Sequence, residues 1–142
     1  MHHIRRAEPG DVESINAIFA AGIANARWLT PEARSNTDFS KVSEGETVVV
    51  CCGRAGEVVG FISIYEPDSF IHHLYVAEPY QGQGVGSALL HSLNAWVPMP
   101  WHLKCVARNE HALAFYCLRG WVEESRTQGP EEPYVLLKKS EA

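Results

Sequence analysis

The sequence has no apolar run approaching the ~18 residues that would cross a bilayer as a helix, so no membrane partner is expected. It has no Cys-x-x-Cys pair. Its four cysteines stand at 51, 52, 105 and 117, two of them adjacent, a spacing that supports neither a disulfide framework nor a zinc or thioredoxin-like motif. Each lies in an apolar stretch and is read as a small core residue. There is no excess of positive charge: 12 Lys and Arg stand against 17 Asp and Glu, a net charge of −5, which offers nucleic acid no general attraction. Repeats, low-complexity runs and long Gly/Ser/Pro linkers are absent too, which leaves residues 1–142 as a single domain. The stretch Met1-His2-His3-Ile4-Arg5-Arg6 lacks the apolar core of a signal peptide, and a cytoplasmic location is expected.

What is present has globular proportions, 46% apolar and 20% charged. A domain of this length buries roughly 68–70% of the surface its unfolded chain exposes and needs no disulfide or metal to fold. Ile4-Arg5-Arg6-Ala7 reads as a first strand. Pro9-Gly10-Asp11 opens a helix carrying Val12, Ile15, Ile18, Phe19 and Ile23 near helical spacing. Residues about 24–45 are polar and irregular, with a short helix expected after Thr30-Pro31-Glu32. Strands over 47–52 and 58–65 flank Gly53-Arg54-Ala55-Gly56-Glu57 as a hairpin. Phe70 to Val76 is apolar on both faces and reads as a central strand. A helix over Gly86–Trp96, a strand over His102–Ala107 and a helix over Glu110–Arg119 follow, then closing strands over Trp121–Arg126 and Tyr134–Lys138. Strands that begin antiparallel and later alternate with helices imply a mixed α/β (α+β) sheet.

The strongest motif is Gln81-Gly82-Gln83-Gly84-Val85-Gly86, directly after a strand and before a helix. Its glycines let backbone approach a ligand and adopt positive φ. The helix start adds unpaired N–H groups and the positive end of its dipole. Together they suit a pyrophosphate. A Walker loop is excluded because Ser87-Ala88 follow Gly86 where Lys and Ser/Thr are required. A dinucleotide fingerprint is excluded because position 87 is Ser where a third glycine should stand. The bland alternative is a glycine turn that only packs a helix on a strand.

Gln81-x-x-Gly84-x-Gly86 resembles the Q/R-x-x-G-x-G/A signature of the GNAT superfamily, the Gcn5-related N-acetyltransferases. Leu74-Tyr75-Val76-Ala77-Glu78-Pro79 is similar to its L-x-V-x-P strand end, and Ser87-Ala88-Leu89-Leu90 to its helix start. Asn109 to Trp121 resembles its second motif, N-x-x-A-x-x-F-Y-x-x-x-G-F, and Ile4 to Asp11 its usual opening. The likeness covers nearly the whole chain in order. It implies the GNAT fold, a mixed sheet of about seven strands flanked by about four helices and splayed between the fourth and fifth strands. It also implies transfer of the acetyl group of acetyl-CoA to a primary amine by direct attack. A non-catalytic acyl-CoA-binding or sensing module is the alternative.

The resemblance assigns roles by position. Main chain of Leu74, Tyr75 and Val76 would pair with the pantetheine arm. N–H groups of Gln81, Gly82, Gln83, Gly84, Val85, Gly86 and Ser87 would hold the pyrophosphate, and Asn109 would contact the cofactor. Tyr116 would protonate the departing thiolate; the alternative is a core aromatic beside Phe115. For the base, an imidazole titrates in the useful range. Strict alternation puts His72 and His73 on opposite faces. The aralkylamine branch resembles this chain with a histidine two residues before the L-x-V leucine, which is His72 here. A bulge common in that strand leaves His73 open, and water-mediated deprotonation is the third route.

Other residues read as bland. Glu44, Glu46 and Glu66 flank strands and are expected in solvent, where any of them could meet a cationic acceptor. Trp28, Phe39 and Tyr134 are packing residues that could also line an acceptor pocket. No metal is expected, since His2-His3, His72-His73 and His102 lack ligand partners at recognisable spacing. The acceptor is a small-molecule amine or a protein or peptide amine, for which the mild negative charge is suited, and the protein is a monomer or homodimer.

Overall fold

The computed structural model describes residues 3–24, 38–127 and 133–140. In chain order these form β1 (His3–Arg6), α1 (Val12–Ala24), α2 (Phe39–Val42), β2 (Thr47–Cys52), β3 (Val58–Tyr65), β4 (Phe70–Val76), α3 (Val85–Ser92), β5 (Trp101–Val106), α4 (Glu110–Cys117), β6 (Val122–Arg126) and β7 (Tyr134–Lys139). A single turn of 3-10 helix, Pro9–Asp11, leads into α1. There Asp11 Oδ2 accepts the Glu8 N–H at 2.7 Å, and the Arg5 guanidinium donates to both carboxylate oxygens at 2.7 and 3.0 Å. This satisfies a helix-start donor that would otherwise be orphaned.

The seven strands make one mixed sheet in the order β1-β2-β3-β4-β5-β7-β6. Every pair is antiparallel except β4 with β5, which run parallel and pair only at Phe70–His102 and Ile71–Leu103. Beyond Ile71 the two strands part. That opening leaves one edge of β4 unpaired in the middle of the sheet, a position where exposed N–H and C=O groups invite another extended segment.

Alternation along β2 builds two cores at once. Val49 and Cys51 join the cluster under α3, with Val59, Ile62, Leu89, Leu93, Trp101 and Leu137. Val50 and Cys52 join the cluster under α1, with Ile15, Phe19, Phe39 and Phe61. Both faces of the strand are therefore buried, which explains its continuous apolar sequence.

Apart from α2, which falls in a stretch read as irregular, the element order agrees with the sequence pattern, with shifts of a residue or a few at the ends. Two expectations need correction. Cys51, Cys52 and Cys105 are buried, but Cys117 ends α4 exposed to solvent. β4 is central as read, yet only Ile71 in it is fully buried. Leu74, Tyr75 and Val76 pack partly against the two cores and also line the opening beside β5, which keeps them short of full burial. The short helix expected after Thr30-Pro31-Glu32, and Trp28, lie outside the described residues.

Candidate active site

The parting of β4 and β5 opens a cleft of about 960 Å³. Its lining includes His72 through Val76 on β4, Gln81, Gly82 and Gly84 through Ser87 at the glycine loop, and Asn109 and Tyr116 on α4. Of the residues to which the resemblance assigned a catalytic or cofactor-binding role, only Gln83 is outside it; its amide Nε2 donates to the Pro79 carbonyl at 3.2 Å. Nearly all the named positions thus converge on one cavity from three elements.

The loop owes its path to two glycines. Gly82 (φ +78°) and Gly84 (φ +83°) adopt left-handed backbone, where any other L-residue costs roughly 1–2 kcal/mol. A Cβ at either would meet nothing within 4 Å, so the requirement is conformational and the loop surface stays open. Gly84 caps α3, whose first N–H groups have no intrahelical acceptors and present the positive end of the helix dipole to the cleft. Gln81 Nε2 donates to the Val76 carbonyl at 3.0 Å and ties the loop to the end of β4, so that carbonyl already has a partner. On the far side, a Cβ at Gly22 would stand 2.5 Å from the Tyr75 ring; glycine lets α1 lie directly against β4.

Asn109 has a structural duty as well as a place in the lining: its Oδ1 caps α4 by accepting the Ala112 N–H at 3.2 Å. Tyr116 stands edge-on to both Phe115 and Trp121. Burial pushes its phenol well above the ordinary 10, with small additions from Cys105 and Tyr75. The proton therefore stays on the oxygen, which leaves the phenol able to donate a hydrogen bond. Cys105, also in the lining, is pushed up to about 11 by burial and by Cys117, which keeps it a thiol and a poor nucleophile.

The two histidines do not lie on opposite faces. Ser63 pairs with His73 and Ile64 with Ile71, so His72 is the extra residue of a bulge in β4. The bulge turns both rings toward one carboxylate. His72 Nδ1 hydrogen-bonds Glu46 Oε2, and His73 Nδ1 lies 3.6 Å from Glu46 Oε1. Ring centroids of the pair are 4.0 Å apart. His72 keeps 45% of its side chain exposed, whereas His73 keeps 11% and is wedged against Phe19 and Phe39. Burial first, then the neighbouring His72, lowers His73 to about 4 against a smaller opposing pull from Glu46, so it is neutral at neutral pH.

Glu46 is the residue that sequence reading missed. Its side chain is only 6% exposed, not solvated as expected, and Ser63 Oγ, itself buried, donates to it. Only strand register brings it to His72, 26 positions away. Arg119 was likewise passed over inside the second motif. Its Nε donates to Ser87 Oγ at 3.0 Å and its guanidinium lies 3.7 Å over the Phe115 ring, on the cleft wall beside the glycine loop. Glu66 accepts from Thr47. Phe39 packs in the α1 core and Tyr134 lies beneath Lys104, and neither lines the cleft.

Comparison with known proteins follows the same lines. The Acetyltransferase (GNAT) family model matches residues 14–121. Comparison with curated proteins finds no significant match. Among solved structures, the chain is similar to apo-form YjaB from Escherichia coli, with TM-score 0.81 and 22% identity over 100% of this chain and 99% of that one. It is also similar to a GNAT-family acetyltransferase from Bacillus cereus, with TM-score 0.77 and 18% identity over 100% and 99%. An N-acetyltransferase from Staphylococcus aureus gives TM-score 0.72 and 20% identity over 99% and 98%. At such identities the structural likeness speaks to the fold alone. Among the described residues, no helix is long and apolar enough to cross a membrane.

Proposed function

The chain belongs to the acetyltransferase (GNAT) family, and on that footing we propose that it transfers the acetyl group of acetyl-CoA directly to a primary amine. The observation that carries this reading is one continuous cleft lined by a glycine loop at a helix start, an unpaired strand edge, a protonated phenol and His72, whose ring is hydrogen-bonded to Glu46 behind it.

Each part has a task. The loop N–H groups and the start of α3 hold the pyrophosphate. The edge of β4 beyond Ile71 pairs with the amide-bearing arm as an added strand. The thioester then lies between β4 and α4. The His72 Nδ1–H hydrogen-bonds Glu46, which leaves the Nε2 lone pair of this half-exposed ring to take a proton from the acceptor ammonium. The neutral nitrogen attacks the acetyl carbonyl carbon and the C–S bond breaks. Tyr116 donates to the departing sulfur, which leaves as the thiol with the proton balance closed by solvent. The protonated Cys105 supports direct attack over an acetyl-cysteine intermediate. His73, neutral and packed among aromatics, is left out of the proton path.

The test is thermal unfolding with acetyl-CoA, CoA, ATP and NAD in parallel, followed by an amine screen for thiol release. Saturation at about 100 times Kd adds roughly 2.7 kcal/mol, a shift of several degrees at this size. Stabilisation by the two CoA species alone, with thiol released on adding an amine, is expected. An equal response to ATP and NAD would reduce the loop to a general phosphate turn. Binding without turnover on any amine would leave a sensing module.

A further inference from the structure

Among the described residues, His73 Nδ1 is buried and finds no hydrogen-bond partner. Buried polar side-chain atoms without a partner are rare. The atom lies beside a carboxylate and a second imidazole: one donor atom from each of Glu46, His72 and His73 falls within 4.8 Å of the other two. We propose that these three side chains form a binding site for a divalent transition-metal ion of the zinc, nickel or cobalt kind, and that its binding switches off acetyl transfer. The second half rests on the proposed function; the first does not.

Two imidazole nitrogens and one carboxylate suit these ions, whereas magnesium and calcium prefer oxygen donors throughout. At metal–ligand distances of about 2.1 Å, tetrahedral donors stand about 3.4 Å apart. The 3.6 Å between His73 Nδ1 and Glu46 Oε1 is already close to that, and the rings of His72 and His73 are 4.0 Å apart. Small side-chain rotations bring all three donors to a common point. The supporting contacts are in place as well. Ser63 donates to Glu46 from a fully buried position, the outer-shell hydrogen bond that orients a ligating carboxylate. Phe19 and Phe39 fix the His73 ring at centroid distances of 5.4 and 5.1 Å.

The inhibitory consequence follows from the proton on His72. In the apo protein that proton sits on Nδ1, toward Glu46. An ion on Nδ1 takes its place, and the neutral ring then carries its proton on Nε2. Nε2 becomes a donor and can no longer accept a proton from the acceptor ammonium. No proton is gained or lost by the ring; the base is lost by a change of tautomer.

The experiment is calorimetric titration of chelator-treated protein with zinc chloride, with cobalt(II) absorption as a second probe, on the wild type, Glu46→Gln and His73→Gln. One zinc per chain is expected in the wild type. Each variant should bind more weakly by at least the about 10- to 100-fold that loss of even an outer-shell partner costs. Thermal stabilisation by acetyl-CoA, kept in each variant, shows that it is folded. Wild-type turnover should fall as zinc fills the site and return with chelator. Absence of both a binding heat and a cobalt spectrum overturns the site, as does binding that neither variant weakens. Binding that leaves turnover intact overturns the inhibitory half. A chain that acetylates no amine even when metal-free refutes the proposed function, while calorimetry still decides the site.

Discussion

Tyr116 lies edge-on to Trp121, with ring centroids 5.6 Å apart and planes at 67°, and edge-on to Phe115 on its other side. Two aromatic neighbours hold the phenol in one orientation and exclude water from it, which is what keeps its proton bound. Phenylalanine preserves both ring contacts and removes only the hydroxyl. Tyr116→Phe should therefore lower kcat by about 10²-fold or more, the lower end for a positioned proton donor. Acetyl-CoA affinity and thermal stability should change little. Steady-state kinetics beside a binding titration checks this, and unchanged kcat would remove Tyr116 from the chemistry.

Arg119 is expected to act on binding and not on chemistry. Its guanidinium is fixed by Ser87 Oγ, the Phe115 carbonyl and the Phe115 ring, next to the loop that is proposed to hold the cofactor phosphates. A hydrogen bond to a charged group contributes about 1.5–3 kcal/mol. Arg119→Ala should raise the Kd for CoA by roughly 10-fold or more at low salt, with less effect as salt screens the charge. At saturating acetyl-CoA, kcat should stay near the wild-type value. A fall in kcat at unchanged Kd would place the residue elsewhere in the reaction.

How much of this was legible in the sequence depended on chain distance. The glycine loop could be read because conformation, helix start and anion affinity all follow from six consecutive residues. Tyr116 and Asn109 could be placed because their spacing within one short helix is local. The base could not be resolved, because period-2 alternation assumes an unbroken strand and the bulge at His72 breaks it. Glu46 was beyond reach for a different reason. It sits ahead of β2 and meets His72 only through the register of β2 on β3 and of β3 on β4, where Ser63 stands between them. Its identity as a charged residue beside a strand pointed to solvent, and tertiary pairing overrode that. The exposed Cys117 is a smaller case: position at the last turn of α4 outweighed the apolar neighbours.

His72 offers the sharpest separation between the two histidines. Removing its ring takes away the Nε2 lone pair and leaves the loop, β4 edge and Tyr116 unaltered. His72→Ala in metal-free buffer should lower kcat by about 10²-fold with acetyl-CoA affinity retained. The variant also takes one partner from the buried Glu46 carboxylate, so a modest fall in melting temperature is expected, and retained stabilisation by acetyl-CoA separates this from loss of the fold. Full turnover in this variant would move deprotonation of the amine to water or to His73.

The Arg5–Asp11 pair sets a pH dependence of stability remote from the cleft. Hydrogen bonds from Arg5, aided by the Glu8 N–H, hold the Asp11 carboxyl below its ordinary 3.8 against an opposing effect of burial. A carboxyl depressed in the folded state contributes stability that is complete above its unfolded value and is lost as pH falls through the folded one. At neutral pH, Asp11→Asn removes a charged acceptor from a guanidinium and should cost about 2 kcal/mol, or roughly 5–10 °C at this chain length. As pH falls below the ordinary 3.8 that advantage shrinks, and it is gone once the wild-type carboxyl takes up its proton at its lower folded-state value. The melting curves of wild type and variant should therefore converge on acidification, since every other carboxylate titrates alike in both. Melting temperatures measured across that range decide it: curves that stay parallel would show that the pair contributes packing at the start of α1 and no charge-dependent stability.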